Sequence, residues 1–128
     1  MDLSRFVAVA LVVLISGCTT PGEVRMKSPA LDLNSIKNSK DVVGCIADGL
    51  EKASPTAQVY SRPITNGYTV WEGVKVSLLA PRNESLLVVD IIDTPSGSNT
   101  KFYSNMASWK ENEVRVVITD CQGQLSRR

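Results

Sequence analysis

LLVVDII, residues 86–92, is the most apolar segment of the chain after residue 17. Its aliphatic and β-branched side chains favour a strand, and an apolar run with little alternation is typical of a strand that is covered on both faces. We therefore predict that residues 86–92 form the central strand of a sheet.

Shorter extended segments flank this strand: one begins at Val59, one covers residues 68–78, and one covers residues 100–103. Asn66-Gly67 predicts a hairpin between the first two, because both residue types tolerate the positive φ of a tight turn. Segments so close in sequence pair most simply as an antiparallel meander. We expect about four strands, with residues 100–103 at the edge.

A helix is predicted to precede the sheet. Asn38 or Ser39 can cap it, and Asp41 lies in the first turn, where negative charge is favourable. Apolar residues then recur at helical spacing: Val42, Cys45, Ile46, Gly49, Leu50 and Ala53. Ser54-Pro55 ends the pattern, since the residue before proline avoids helical geometry.

The last element is open to two interpretations. Residues 113–118 (EVRVVI) have high β propensity, but Val114, Val117, Ile118 and Cys121 share one face of a helix that Ser108 would cap. We predict the helix. The expected fold is therefore α+β, with both the N-terminal and the C-terminal helix packed on one face of the sheet. The predicted domain covers residues 38–122, and residues 123–128 form a tail.

Composition argues against several classes of function. The chain has 14 Lys+Arg, 13 Asp+Glu and no histidine. Without a basic stripe we expect no nucleic-acid partner, and the lack of histidine lowers the expectation of hydrolytic or metal chemistry. No phosphate-binding loop, nucleophile motif or metal-ligand spacing is present. We therefore predict a protein that is not an enzyme and that needs no cofactor or metal.

Asp90 is the one charged residue of the central segment, and a carboxylate among apolar side chains is a candidate catalytic acid. We favour a place on the solvent face instead, because neighbouring residues of a strand point to opposite sides. Asp93 would point away from Asp90, so the two would not form an acid/base pair.

The first seventeen residues predict a signal peptide. Residues 6–15 (FVAVALVVLI) are an uncharged apolar run of ten residues, too short to span a bilayer, which needs about 20. Residues 14–18 (LISGC) closely resemble the lipobox of bacterial lipoproteins, in which an aliphatic residue and two small residues precede a cysteine.

This resemblance implies cleavage before Cys18, diacylglycerol on the Cys18 sulfur and a fatty acyl chain such as palmitate on the new amino terminus. In this class an aspartate after the cysteine retains the protein in the inner membrane. Thr19 at that position therefore implies attachment to the outer membrane, with the domain facing the periplasm.

Residues 18–37 predict a lipidated flexible tether, because Pro21, Gly22 and Pro29 interrupt any helical or strand period. The alternative is that Leu31, Leu33 and Ile36 dock on the domain as a short strap.

Cys45 and Cys121 remain once Cys18 is assigned to lipid. An even pair in an exported chain predicts a disulfide. The alternatives are a redox pair or a metal site, which the wide separation of these cysteines and the lack of histidine disfavour.

Residues 38–121 resemble a loosely defined group of small proteobacterial lipoproteins without an established activity. The pieces that carry the likeness are CIAD (45–48), NGY (66–68), VVD (88–90), Gly97-Ser98 before Tyr103, and Trp109 before Cys121. The resemblance implies the same helix–sheet–helix arrangement and no specific function.

Trp71 and Trp109 are the candidate binding residues, because aromatic anchors dominate many interfaces, although core packing is the alternative for either. We expect a non-catalytic binding or structural module of the cell envelope with a protein or cell-wall partner. Two alternatives are an inhibitor or immunity factor against a periplasmic lytic enzyme, and a carrier of a small amphiphile.

Overall fold

A computed structural model of the protein describes residues 20–55, 57–75 and 83–123. In chain order they are α1 (Pro21–Arg25), β1 (Leu31–Ser35), α2 (Ser39–Ala53), β2 (Gln58–Ile64), β3 (Gly67–Lys75), β4 (Asn83–Thr94), β5 (Gly97–Ser104) and α3 (Ser108–Cys121). The predicted signal peptide (1–17), Cys18 and residues 124–128 of the predicted tail lie outside the described residues.

One antiparallel sheet contains the five strands of the described residues, in the order β1-β5-β4-β3-β2. The α+β class is confirmed, and β4 contains residues 86–92 at the centre of the sheet as predicted. The sheet as described has five strands where about four were expected, and the expected edge was wrong. β1 pairs with β5 through Leu31 opposite Phe102, which places residues 100–103 inside the sheet.

The two faces of the sheet explain the unbroken apolar run of β4. Leu87, Val89 and Ile91 point to the side that α2 and α3 cover, whereas Val88 and Asp90 point to the other side, which we call the outer face. The core between the helices and the sheet is one cluster: Val42, Ile46, Leu50, Val70, Leu87, Val89, Ile91, Phe102, Val114, Ile118 and Cys121.

Both long helices follow the predicted patterns. Asn38 caps α2, since its side-chain oxygen accepts a hydrogen bond of 3.0 Å from the Asp41 backbone. Residues 108–121 form the predicted helix, which buries Val114 and Ile118. Ser108 is its first helical residue and not its cap; Ala107 holds the cap position and makes no side-chain hydrogen bond.

The hairpin between β2 and β3 is present, but its two turn residues are Thr65 and Asn66 and not Asn66 and Gly67. Asn66 has a φ of 60°, which asparagine tolerates better than most residues. Gly67 already belongs to β3, and a Cβ on it would lie 1.9 Å from the backbone oxygen of Ile91. The glycine is needed for close approach of two strands and not for a positive φ.

The segment expected to be a flexible tether contains α1 and β1. Leu31 packs against the core and Leu33 is half-buried, while Ile36 is 91% exposed. Residues 31–35 therefore pack on the domain as the alternative of a short strap expects, whereas Ile36 does not. The partner of β1 is β5, and a strand pairing over so long a stretch of chain leaves no local pattern in the sequence.

The predicted disulfide between Cys45 and Cys121 is present, with 5.6 Å between the two Cα atoms. It links α2 to the last residue of α3, and it closes a loop with a sequence separation of 76. The chain-entropy model gives about 4 kcal/mol of stabilisation for a loop of this size.

We predict that replacing both cysteines (C45A/C121A) lowers the free energy of unfolding by about 2–5 kcal/mol, because the unfolded chain regains the freedom that the loop closure removes. Urea unfolding of the oxidised parent and of the double variant measures the difference. The reduced parent should unfold at the same urea concentration as the variant. Equal stability of the oxidised parent and the variant would contradict the prediction.

Candidate functional site

The two candidate tryptophans lie on opposite sides of the molecule. Trp71 is half-buried on the outer face, and Trp109, at the start of α3, is 68% exposed on the helix side. The structure therefore does not bring them into one site. Cys18, the predicted lipid attachment, lies outside the described residues, and the predicted disulfide cysteines belong to the helix layer.

Trp71 is the middle of a stack on the outer face. Its ring lies against the ring of Tyr60, with 5.3 Å between centroids and 19° between planes. The guanidinium carbon of Arg62 lies 5.5 Å from the Trp71 centroid. Tyr60 is directly opposite Trp71 in the β2–β3 register. Because strand alternation keeps residues 60 and 62 on one face, the hairpin assembles this stack from its own sequence.

The short helix α1 is fixed on the same face. Thr20 begins it with a capping box: the Thr20 hydroxyl accepts from the Glu23 backbone at 3.3 Å, and the Glu23 carboxylate accepts from the Thr20 backbone at 3.2 Å. Val24 is 1% exposed, and α1 packs on β4 and β5. The capping box and buried Val24 therefore fix α1 on the outer face.

A bidentate ion pair joins α1 to the central strand. The Nε and Nη2 atoms of Arg25 each donate to a different carboxylate oxygen of Asp90, both at 2.8 Å. Thr69 completes the network, since its hydroxyl donates to Asp90 at 2.7 Å and accepts from Arg25 at 2.9 Å. Asp90 does point away from α2 and α3, as predicted, but it is a partner of Arg25 on α1 and not a free solvated residue.

The partnership with Asp90 favours the charged form of Arg25. The hydrogen bond to Asp90 raises the pKa of the Arg25 guanidinium above its already high ordinary value, against the opposite effect of burial. With its oxygens engaged by Arg25 and Thr69, Asp90 has the contacts of a structural residue. A catalytic acid needs an open approach to its carboxyl group, which these contacts do not provide.

A groove of about 390 Å³ separates α1 from the β2–β3 hairpin. Its lining is Pro21, Gly22, Arg25, Arg62, Thr69 and Trp71. Arg62 is exposed, and it has no ion pair within the part of the chain that the structure describes. An aromatic ring beside a cation suits binding of groups that combine apolar and anionic parts. The groove therefore offers an aromatic and a cationic contact for binding.

Glu72 is a buried carboxyl group on the helix side of the sheet. It is 1% exposed, and its Oε2 atom has no hydrogen-bond partner among the described residues. Burial raises the pKa of Glu72, and the nearby Ser54 hydroxyl and Lys110 ammonium oppose this effect only in part. Glu72 lies in the same cross-strand row as Val59 and Leu87, away from the groove.

Within residues 20–55, 57–75 and 83–123, no group of three or more acidic, cysteine or histidine side chains is placed to hold a metal ion. In the same residues, no helix has the length and apolar character that crossing a membrane requires. Comparison of the chain with models of protein families, with curated proteins and with solved structures finds no match. The interpretation of the site therefore depends on its own geometry.

The groove residues Arg25 and Arg62, and Tyr60 of the stack beside the groove, were not singled out from the sequence. Arg62 and Tyr60 were within reach, because the hairpin signal at residues 66–67 implies a register that places both beside Trp71. Arg25 was not, because its partner Asp90 is distant in the chain and the segment around Arg25 has no pattern of its own.

Glu72 generates a pH prediction for stability. Because its pKa is raised in the folded protein, the folded state holds the Glu72 proton more tightly than the unfolded chain does. Its contribution therefore favours folding at mildly acidic pH and is lost as pH rises from the ordinary glutamate range through the raised pKa. We expect Glu72→Gln to gain stability relative to the parent on going from acidic to neutral pH, by an amount on the order of 1 kcal/mol.

Urea unfolding at both pH values measures this change. Glu51→Gln is the matched control, since Glu51 is an exposed glutamate on α2. A Glu72→Gln variant whose stability relative to the parent is the same at both pH values would show that the carboxyl group titrates normally.

Proposed function

We propose that the protein is a lipid-anchored lipoprotein of the outer membrane that faces the periplasm and acts as a non-catalytic binding module. The observation that carries the proposal is the capping box at Thr20, which begins α1 two residues after the lipobox cysteine Cys18. A signal peptide cut before Cys18 would leave the folded domain intact and its lipid directly beside it.

The disulfide supports an exported location. Pairing between Cys45 and Cys121 matches a compartment that oxidises thiols, whereas the bacterial cytosol keeps them reduced. The remaining cysteine of the chain is Cys18, which the lipobox resemblance assigns to lipid. Each of the three cysteines then has a role that fits one compartment.

A protein partner is proposed for the outer side of α3. Trp109 is 68% exposed and Val116 is 60% exposed, and their spacing of seven positions, two helical turns, brings both onto one side of the helix. We call this side the α3 ridge; it also carries Asn112, Glu113 and Asp120, all exposed. An exposed tryptophan with a polar surround has the composition of a binding hot spot.

The two alternatives differ in the support they receive. An inhibitor or immunity factor is a special case of the same module, with a lytic enzyme as the partner of the α3 ridge. A carrier of a small amphiphile needs an apolar cavity under the helices. Core side chains from α2, α3 and the strands β3, β4 and β5 meet in that space, so the packing gives the carrier function no support.

Lipidation at Cys18 is the first test. We expect the protein extracted from membranes to have an intact mass that corresponds to a chain beginning at Cys18 and carrying acyl groups, because two or three chains hold a protein stably on a bilayer. Cys18→Ser should leave the membrane fraction or keep its signal peptide. The matched control is C45A/C121A, which removes the other two thiols and should retain the lipid.

A mature amino terminus at another residue, or acyl groups on the chain after Cys18→Ser, would contradict the proposed anchor. Mass spectrometry distinguishes these results from simple misfolding, because the masses are read on denatured protein.

The α3 ridge is tested by photo-crosslinking from position 112, which lies between Trp109 and Val116. We expect a crosslinked product of one defined mass in intact cells, and Trp109→Ala should weaken the complex by about 2 kcal/mol, as for an aromatic hot spot. Ile36→Ala is the matched control, because Ile36 is also an exposed apolar residue, at 91%, and lies outside the ridge. A product that Trp109→Ala leaves unchanged would show that the ridge is not the contact.

A further inference from the structure

Like the α3 ridge, the outer face of the sheet is only partly covered by the rest of the domain. We propose that the outer face lies on the phospholipid headgroups of the membrane. Trp71, Tyr60 and Arg62 are at headgroup level in this orientation, and Trp109 points away into the periplasm. The inference rests on the proposed lipidation of Cys18, and it goes beyond that proposal because an anchor alone does not determine which side of a domain faces the bilayer.

The length of chain between the proposed lipid at Cys18 and the first turn of α1 is short. Two residue steps separate Cys18 from Thr20, where the capped first turn of α1 begins. Two residues span at most about 7 Å, even when they are fully extended. A thioether-linked lipid at Cys18 therefore holds Thr20 at or near the headgroup region of the membrane.

The helix α1 begins on the outer face of the sheet, beside the groove. Pro21 and Gly22 form one wall of the groove whose other walls are Arg62, Thr69 and Trp71. The described chain thus begins α1 above the outer face, beside Trp71, and not on the helix side. The Arg25–Asp90 pair and buried Val24 keep α1 in this place.

The side chains of the outer face suit the boundary between lipid hydrocarbon and headgroups. Tryptophan and tyrosine rings, with an apolar body and one polar group, are enriched where hydrocarbon meets headgroups. Arg62 lies over Trp71 and is exposed, so its guanidinium can meet lipid phosphates while its methylenes stay against the ring. The groove of about 390 Å³ beside this stack is large enough to admit a headgroup.

The two tryptophans of the chain allow a direct test, because one lies on each side. Full-length Trp109→Phe and Trp71→Phe proteins, processed and lipidated in cells, are reconstituted in vesicles of phosphatidylethanolamine and phosphatidylglycerol that carry a nitroxide-labelled lipid. We expect the nitroxide to quench Trp71 several-fold more than Trp109. Iodide in the water should quench Trp109 the more strongly.

Equal lipid quenching of both tryptophans, stronger quenching of Trp109, or quenching of neither would each overturn the orientation. The intact mass of the same samples separates the two proposals. An acylated protein with unquenched Trp71 overturns the orientation alone, whereas a protein without lipid removes the anchor and the orientation together.

The role of Arg62 is tested by charge reversal in the Trp109→Phe protein. Arg62→Glu should reduce the lipid quenching of Trp71, and the reduction should grow with the fraction of phosphatidylglycerol. Lys40→Glu is the matched control, because Lys40 is an exposed cation on α2 and the change in net charge is the same. Equal effects of the two reversals would show that only net charge matters and would overturn the contact of Arg62 with lipid.

Discussion

The ion pair between Arg25 and Asp90 is the contact on which the arrangement of the outer face depends. A carboxylate within the central strand of a sheet is costly to cover unless a cation meets it with good geometry. Arg25 provides two hydrogen bonds of 2.8 Å, and the side chains of the pair are 31% and 16% exposed. The pair therefore accounts both for the one charge in an apolar strand and for the position of α1.

The molecule has two sides with different physical characters. On one side, α2 and α3 cover an aliphatic core, and Gly49 lets them approach so closely that a Cβ there would lie 2.4 Å from Val117. On the other side, a single short helix covers only part of the sheet and leaves an aromatic stack beside an arginine. The first side gives the domain its stability, and the second contains the groove.

Local pattern was enough to predict much of this fold from sequence. The apolar run of β4, the stripe of α2 and the periodicity of residues 114–121 each depend on neighbours within one element. The pairing of β1 with β5 and the contact of Arg25 with Asp90 join distant parts of the chain, and no local signal announces them. Trp71 was a candidate from its residue type alone, but its partners Tyr60 and Arg62 needed the hairpin register.

The disulfide has a consequence for the order of maturation. Its loop encloses β2, β3, β4 and β5, so the thiol of Cys45 precedes all four strands and its partner follows them. If the chain is exported amino end first, as the proposed signal peptide implies, Cys45 reaches the oxidising compartment before Cys121. The disulfide then closes only after all four strands have crossed, and a product truncated before Cys121 keeps an unpaired thiol at Cys45.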